Sequence, residues 1–310
     1  MADRDAVNTF TIELPPAYRV QDVLAFHGRD AQSVAEQVAP ARLRKGMLLG
    51  GMPIVVDIAL PGAWAECTVE TDGALTAASA GDVKEATLNI LGLRIDPRPF
   101  ADFTAGDAQL GPLVRAQPGL RIVQSATVFE ALTWAIIGQQ INLPFAIALR
   151  RTFILQAGRQ HSSGLWCYPQ AGDVARLTVE DLSSRKFSRA KAETLLRLAR
   201  LVDTGALTLA LPAPGAIDDV SAALLAVKGI GPWTVNYALL RGYGYADCSL
   251  HGDVAIRAAL QRLLGEDVKP DIARTEKILE QYRPHRTMAA AYLWASLHAA
   301  PAPTKKGLPA

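Results

Sequence analysis

Leu224-Leu225-Ala226-Val227-Lys228-Gly229-Ile230-Gly231-Pro232-Trp233-Thr234-Val235-Asn236-Tyr237 is the stretch that decides the fold of this chain. Leu224, Leu225 and Val227 end one helical apolar pattern, and Gly-x-Gly then makes a tight turn. Pro232 stands where the first residue of a new helix belongs, since its fixed φ suits that position and its missing N–H is not needed there. Without a Cβ at Gly229 or Gly231, the turn bares backbone N–H groups and a helix N-terminus, an arrangement that binds phosphate. Two readings stand: a plain cap between helices, or a grip on one nucleic-acid backbone that reads no sequence.

Working outward, Trp233 and Tyr237 lie four apart on the new helix and share a face. Asp253 follows Trp233 by twenty residues, closes Leu250-His251-Gly252-Asp253, and precedes the helical apolar pattern of Val254–Leu260. An aspartate there is a favoured N-cap on any account. An aromatic face, a phosphate-gripping turn and a carboxylate at a helix start are also the parts of a pocket for a flipped base.

With these motifs the chain resembles the helix-hairpin-helix–GPD DNA glycosylases, and among them the AlkA-type 3-methyladenine glycosylases (DNA-3-methyladenine glycosylase II). The resemblance covers nearly the whole chain and is strongest at Lys228–Tyr237, Leu250–Arg257, Ile137-Gly138-Gln139-Gln140, and Arg283-Pro284-His285-Arg286 through Trp294. It implies an α+β fold, with a small N-terminal β/α sheet domain over residues 1–98 and an all-α helix-hairpin-helix catalytic region over residues 99–310. Within that region, residues 99–124 form a crossing segment, 125–245 a helical subdomain with the hairpin at 221–242, and 246–310 a second helical subdomain.

The implied activity is monofunctional hydrolysis of the N-glycosidic bond of alkylated bases, of the 3-methyladenine and 7-methylguanine type, in duplex DNA. This step starts base excision repair. Breaking that bond makes an oxocarbenium-like sugar, which a carboxylate can stabilise while it orients water; the resemblance gives Asp253 this role. Relatives that also nick DNA carry a Schiff-base lysine at the fifth position of the hairpin motif. Here Trp233 stands there, so no β-lyase activity is expected and the product is an abasic site. Trp233, Tyr237 and Trp294 are implied to form an electron-rich pocket, and aromatic faces attract a cationic alkylated base. Core packing is the alternative for Trp294.

DNA contacts are implied for Gln139, Gln140, Lys228, Gly229, Gly231, Thr234 and Arg286. For the break at Gly138–Asn142 a solvated turn is the other reading; for Arg286 it is a surface ion pair. Gln140 stands at the family's wedge position, where a member of the family carries leucine, and minor-groove wedges are usually apolar. Gly252 and Val254 likewise stand where a member carries aspartate and tyrosine, which bears on substrate range. The backbone carbonyls of Leu225, Val227 and Ile230 are implied to hold a monovalent cation, Na⁺ or K⁺, with no cofactor required for the reaction. Glycosylases for other damaged bases, or a non-catalytic hairpin DNA-binding protein, remain as alternatives.

Composition is consistent with this and does not demand it. The 310 residues are half apolar, enough for two or three domains with sizeable cores. A net charge of +2 permits a local DNA contact without arguing for one. Cys67, Cys167 and Cys248 match no metal spacing, and Ala299–Ala310 holds no cysteine, so no iron–sulfur cluster is expected. No run reaches the length of a membrane span, and Met1–Asp5 lacks the features of a leader. A soluble cytoplasmic, nucleoid-associated monomer acting on double-stranded DNA is the expectation.

Along the chain, alternation at Phe10, Ile12 and Leu14 predicts a strand closed by Pro15-Pro16. A helix near Val20–Phe26 and strands at Arg42–Leu48, Ile54–Leu60 and Glu66–Glu70 follow. Capping boxes are read at Ser33/Glu36, at Asp82/Glu85 ahead of a helix to Leu91, and at Thr127/Glu130. Nothing in this N-terminal part is read as carrying chemistry. Helices are expected at Val179–Ser183, Ser188–Asp203, Val220–Val227 and Met288–Leu297. Trp166 and Tyr168 are read as core or lid packing, and Arg185, Lys186, Arg189 and Lys191 as a solvated face or a DNA contact. The tail Pro301–Ala310 is expected to fray.

Overall fold

The computed structural model describes residues 8–213 and 215–297. The readings of Met1–Asp5, of Ala299–Ala310 and of the tail Pro301–Ala310 lie outside these described residues.

In chain order the elements begin with β1 (Asn8–Glu13), α1 (Val20–His27), β2 (Glu36–Ala39), β3 (Arg42–Leu49), β4 (Met52–Ala59), β5 (Trp64–Thr71) and α2 (Ala77–Ile90). Two short helices follow, α3 (Arg98–Phe103) and α4 (Leu110–Ala116), then α5 (Val128–Gly138) and α6 (Leu143–Ala157). The two-residue strands β6 (Arg159–Gln160) and β7 (Trp166–Cys167) pair ahead of α7 (Ala171–Ala175), α8 (Val179–Ser183) and α9 (Arg189–Asp203). The hairpin is α10 (Ile217–Leu225) and α11 (Pro232–Ala238), and α11 runs into a π-helical turn at Leu239–Tyr243. Last come α12 (Val254–Leu264), α13 (Ile272–Glu280) and α14 (Arg286–Ser296). The α+β architecture is therefore present: an antiparallel sheet first, helices after.

The chain divides into two compact units, Met1–Asp96 with Arg121–Tyr245, and Pro97–Leu120 with Ala246–Ala310. In the first, the five-stranded sheet runs in the order β1-β5-β4-β3-β2, antiparallel throughout, with Met47 opposite Ile54 and Phe10 opposite Cys67. Period-two alternation sends Leu43, Ile54, Val56 and Ile58 to one buried cluster, where Val83, Ala86 and Ile90 of α2 join them.

Two capping readings fail here. Ser33 lies in a left-handed turn and Glu36 opens β2. The Glu36 carboxylate is taken by Lys45 Nζ at 2.7 Å and by Arg150 at 2.5 Å. Glu130 completes this buried quartet, accepting from Lys45 Nζ at 2.9 Å and Arg150 at 2.8 Å. Burial alone would keep both acids protonated, but the two cations hold their carboxyls below the usual range. The second failure is Asp82/Glu85: α2 starts six residues earlier than Asp82 at Thr76, whose hydroxyl accepts from Ser79 N–H. Thr127 does cap α5, accepting from Glu130 N–H at 3.1 Å. Glu130's own carboxylate reaches back to Ala126 N–H instead of the cap residue, so the box is closed one residue early. Tyr168 is core, its hydroxyl paired with Thr133 Oγ1 at 2.7 Å.

In the second unit lie residues 97–120, most of the stretch read as a crossing segment at 99–124, and they carry α3 and α4. They pack with the C-terminal helices: Phe100 stacks on Tyr292 at 5.7 Å, and Tyr282 Oη meets Asp107 Oδ2. Among the described residues no helix is long and apolar enough to cross a membrane, and no group of three or more His, Cys, Asp or Glu could hold a metal ion.

Candidate functional site

The hairpin turn is braced from three sides within the first unit. Gly229 has φ +99°, a backbone that side chains rarely adopt, and a Cβ there would stand 2.1 Å from Thr194 Oγ1 on α9. One turn further along α9, Arg197 donates to the Lys228 carbonyl at 2.9 Å. From the loop after α5, Gln139 Nε2 donates to the Gly229 carbonyl at 3.2 Å and to Thr234 Oγ1 at 3.0 Å. Gly231 differs: its backbone is extended and a Cβ would meet nothing within 4 Å. Lys228 and Gly229 are exposed.

The predicted contact residues therefore separate. Lys228, Gly229 and Gly231 form the outer surface of the turn. Thr234 is only 2% exposed and, with Gln139, acts on the turn from inside. Gln140 is exposed at the loop tip with φ +57°, a left-handed conformation uncommon outside glycine and of the sort that concentrates at functional loops. Asn142 caps α6 through Phe145 N–H, which ends the loop. The Val227 carbonyl accepts the Ile230 N–H at 3.0 Å, which closes the turn.

The aromatic wall is in the same unit. Trp233 and Tyr237 have ring centroids 5.2 Å apart at 32°. Trp233 is half-buried, and Tyr237 is buried with its hydroxyl accepting from Trp134 Nε1 at 2.8 Å. This support has no signal in the sequence, because an indole that packs and an indole that donates have the same apolar register. Arg241 has none either. The π-helical turn sets that guanidinium under the Phe26 ring at 4.8 Å, and it donates to the Val123 carbonyl.

The carboxylate is in the second unit. Asp253 is the N-cap of α12, and its Oδ1 accepts from Ala255 N–H and Ile256 N–H, both at 2.9 Å. The same oxygen accepts from Trp294 Nε1 at 3.2 Å. Cap and partner of a tryptophan are thus one residue, held by three donors in one orientation. Val254 beside it is 63% exposed. Arg286 forks onto Asp247, Nε to Oδ1 at 2.7 Å and Nη2 to Oδ2 at 2.9 Å, and also reaches Glu280. This is the ion-pair arrangement. It fastens the start of α14 to the segment that precedes Asp253, and Thr287 adds a bond to Cys248 N–H at 2.9 Å.

Comparison with known proteins bears on the whole arrangement. Residues 133–285 match the family model of the HhH-GPD superfamily of base excision DNA repair proteins. A DNA-3-methyladenine glycosylase of Bacillus subtilis is 31% identical over 206 residues, covering 66% of this chain and 68% of that protein. DNA-3-methyladenine glycosylase 2 of Escherichia coli is 30% identical over 187 residues, 60% of this chain and 63% of that one. The chain thus spans about two thirds of the length of these curated relatives. Among solved structures, a 3-methyladenine DNA-glycosylase from Archaeoglobus fulgidus has the same fold, with TM-score 0.78 at 22% identity over 93% of this chain and 98% of that one. With hairpin, aromatic pair and capped carboxylate in place, the chain belongs to the HhH-GPD superfamily of base excision DNA repair proteins and, within it, to the DNA-3-methyladenine glycosylases.

Proposed function

We propose that this protein hydrolyses the N-glycosidic bond of alkylated purines in duplex DNA, as a monofunctional glycosylase that leaves an abasic site. The observation that carries the reading is Asp253 Oδ1, fixed by two backbone N–H groups and by the Trp294 indole. A carboxylate that cannot reorient is suited to stabilise a developing oxocarbenium charge without rearranging at the moment of reaction. Water then supplies the new C1′–O bond as the C1′–N bond breaks, and the base departs with the bonding electrons. A base that already carries positive charge leaves without a strong general acid.

The other residues take roles that follow from their surroundings. The outer face of Lys228–Gly231 would meet a phosphate through backbone N–H groups and the lysine, while Gln139 and Thr234 hold that turn in shape. Gln140, already bent outward, would fill the space that the flipped base vacates. Trp233 and Tyr237 would offer their faces to the base; Trp294 is proposed as a further face for it and also orients Asp253. Arg286 acts through Asp247 on the segment carrying the carboxylate and is a positioning residue. A monovalent cation held by the carbonyls of Leu225, Val227 and Ile230 would add positive charge beside the phosphate. Trp233 at the lysine position leaves water as the nucleophile, and flipping, which costs a few kcal/mol, is least costly for a damaged base.

Product analysis tests this. Wild-type protein incubated with methylated duplex should release free 3-methyladenine and 7-methylguanine and leave strands that break only on hot alkali, with no borohydride-trapped adduct. Nicked strands or a trapped adduct would contradict the monofunctional chemistry. Binding without release of any base would reduce the protein to a hairpin DNA-binding module.

A further inference from the structure

The N-terminal region, read from sequence as free of chemistry, sends one arginine to the indole that supports the aromatic wall. Arg29 follows α1 directly, beyond Gly28. Its guanidinium carbon lies 3.9 Å from the Phe26 ring centroid and 5.1 Å from that of Trp134, the indole that holds the Tyr237 hydroxyl. Its Nε is committed to the Phe26 carbonyl at 2.7 Å, while the residue as a whole is exposed. Arg241 also stacks on the Phe26 ring, at 4.8 Å. The Arg29 guanidinium is thus stacked on Phe26 and set against the indole that donates to the Tyr237 hydroxyl. Desolvation draws it down to about 10, which leaves it charged at neutral pH.

We propose that Arg29 is a specificity-determining residue that donates hydrogen bonds to the C6 carbonyl of a flipped guanine-type base. A guanidinium carries five N–H donors and no acceptor. Guanine-type bases present an oxygen acceptor at position 6, whereas adenine-type bases present an amino donor there. Charge repulsion from the guanidinium is common to both cationic bases, and the difference is that Arg29 matches the 7-methylguanine oxygen donor to acceptor and meets 3-methyladenine donor to donor. A phosphate is the weaker match, because the guanidinium is stacked against Trp134, the indole that supports Tyr237 of the proposed base site, while the hairpin turn carries the N–H groups proposed for phosphate. The proposal rests on the glycosylase reading above and adds a direction of preference that hydrophobic stacking alone does not supply.

The test is kcat/KM for release of each base from duplexes with one defined lesion, for wild type, Arg29→Ala and Arg29→Gln, with thermal melts as a folding control. Arg29→Ala should lower 7-methylguanine release by tenfold or more and change 3-methyladenine release less than twofold. Arg29→Gln, which keeps an N–H donor, should recover part of the loss. Equal losses for both bases, or none for either, would overturn the assignment. If Arg29→Ala does not fold, the same selective loss must appear in Arg29→Gln or the assignment falls. Should wild type release neither base, the glycosylase reading fails by itself. Tryptophan-fluorescence titration with the free bases then decides the inference: wild type must bind 7-methylguanine more tightly than 3-methyladenine and Arg29→Ala must not. Equal binding of the two bases by wild type would overturn it.

Discussion

The two glycines of the hairpin should respond to the same substitution in opposite ways. At Gly229, alanine would be forced into φ +99° and its Cβ would lie 2.1 Å from Thr194 Oγ1 and 2.8 Å from its Cγ2. Left-handed backbone costs an L-residue roughly 1–2 kcal/mol, and overpacking a close contact costs roughly 1–3 kcal/mol. Gly229→Ala should therefore lose about 2–5 kcal/mol of folding stability. Thr194→Ala removes the two nearest atoms and should recover part of the loss, which makes the pair non-additive. At Gly231, φ is −108° and the added methyl meets nothing. Alanine is a poorer N-cap than glycine but restricts the unfolded chain, and these effects offset to within about 1 kcal/mol. Its methyl would instead occupy the open face of the turn and keep a phosphate away. Gly231→Ala should fold like wild type and bind undamaged duplex roughly tenfold more weakly, about 1.4 kcal/mol. Urea unfolding and fluorescence anisotropy at one fixed salt concentration measure both. Unchanged DNA affinity in a well-folded Gly231→Ala protein would refute the phosphate-gripping role of the turn, and unchanged stability in Gly229→Ala would refute the packing described for it.

Three further outcomes follow from named groups. Burial, then the nearby Lys45 charge, push His27 down to about 3 from its ordinary 6.5. The unfolded chain therefore binds the extra proton first, so stability is full above pH 6.5 and falls toward pH 3, by about 2 kcal/mol at pH 5. Urea midpoints across pH 7 to 5 should drop less steeply in His27→Gln, and identical slopes would remove His27 as the source. Gln140→Gly relieves the left-handed residue at the loop tip and should gain roughly 0.5–1 kcal/mol of stability while slowing base release from duplex. A lower melting temperature, or undiminished release, would count against the wedge. Trp134→Phe removes the indole donor while Arg241 still bonds the Tyr237 hydroxyl, a loss of roughly 0.5–1.5 kcal/mol. It should also weaken discrimination between damaged and undamaged bases; a melt and a lesion panel that both match wild type would show that this bond supports nothing.

What could be read from the sequence was mainly local. The hairpin, Pro232 at a helix start, and the caps at Thr127 and Asp253 are set by residues a few positions apart, and the helices form where those signals stand. The failures are tertiary. Ser33 and Glu36 have the spacing of a capping box, but Lys45 and Arg150 claim the carboxylate from 9 and 114 residues away. The Pro- and Gly-rich stretch at 97–120 supports α3 and α4 because Phe100 finds Tyr292, a contact no local window contains. At the candidate site, the residues with unusual chemistry were legible by register: Asp253, Trp233 and Tyr237. Their supports, Trp134 and the Arg286–Asp247 pair, were not, since each passes locally for an ordinary core or surface residue.

Asp253→Asn under single-turnover conditions is the most direct test of the central claim. Asparagine caps a helix about as well as aspartate and keeps an oxygen for Ala255, Ile256 and the Trp294 indole, so its melting temperature should stay close to that of wild type. It lacks the negative charge, so base release from alkylated duplex should fall by roughly 10²–10⁴-fold, the range typical of a group that stabilises or activates in the transition state. A mutant that folds normally and releases base at the wild-type rate would show that Asp253 is a helix cap and nothing more.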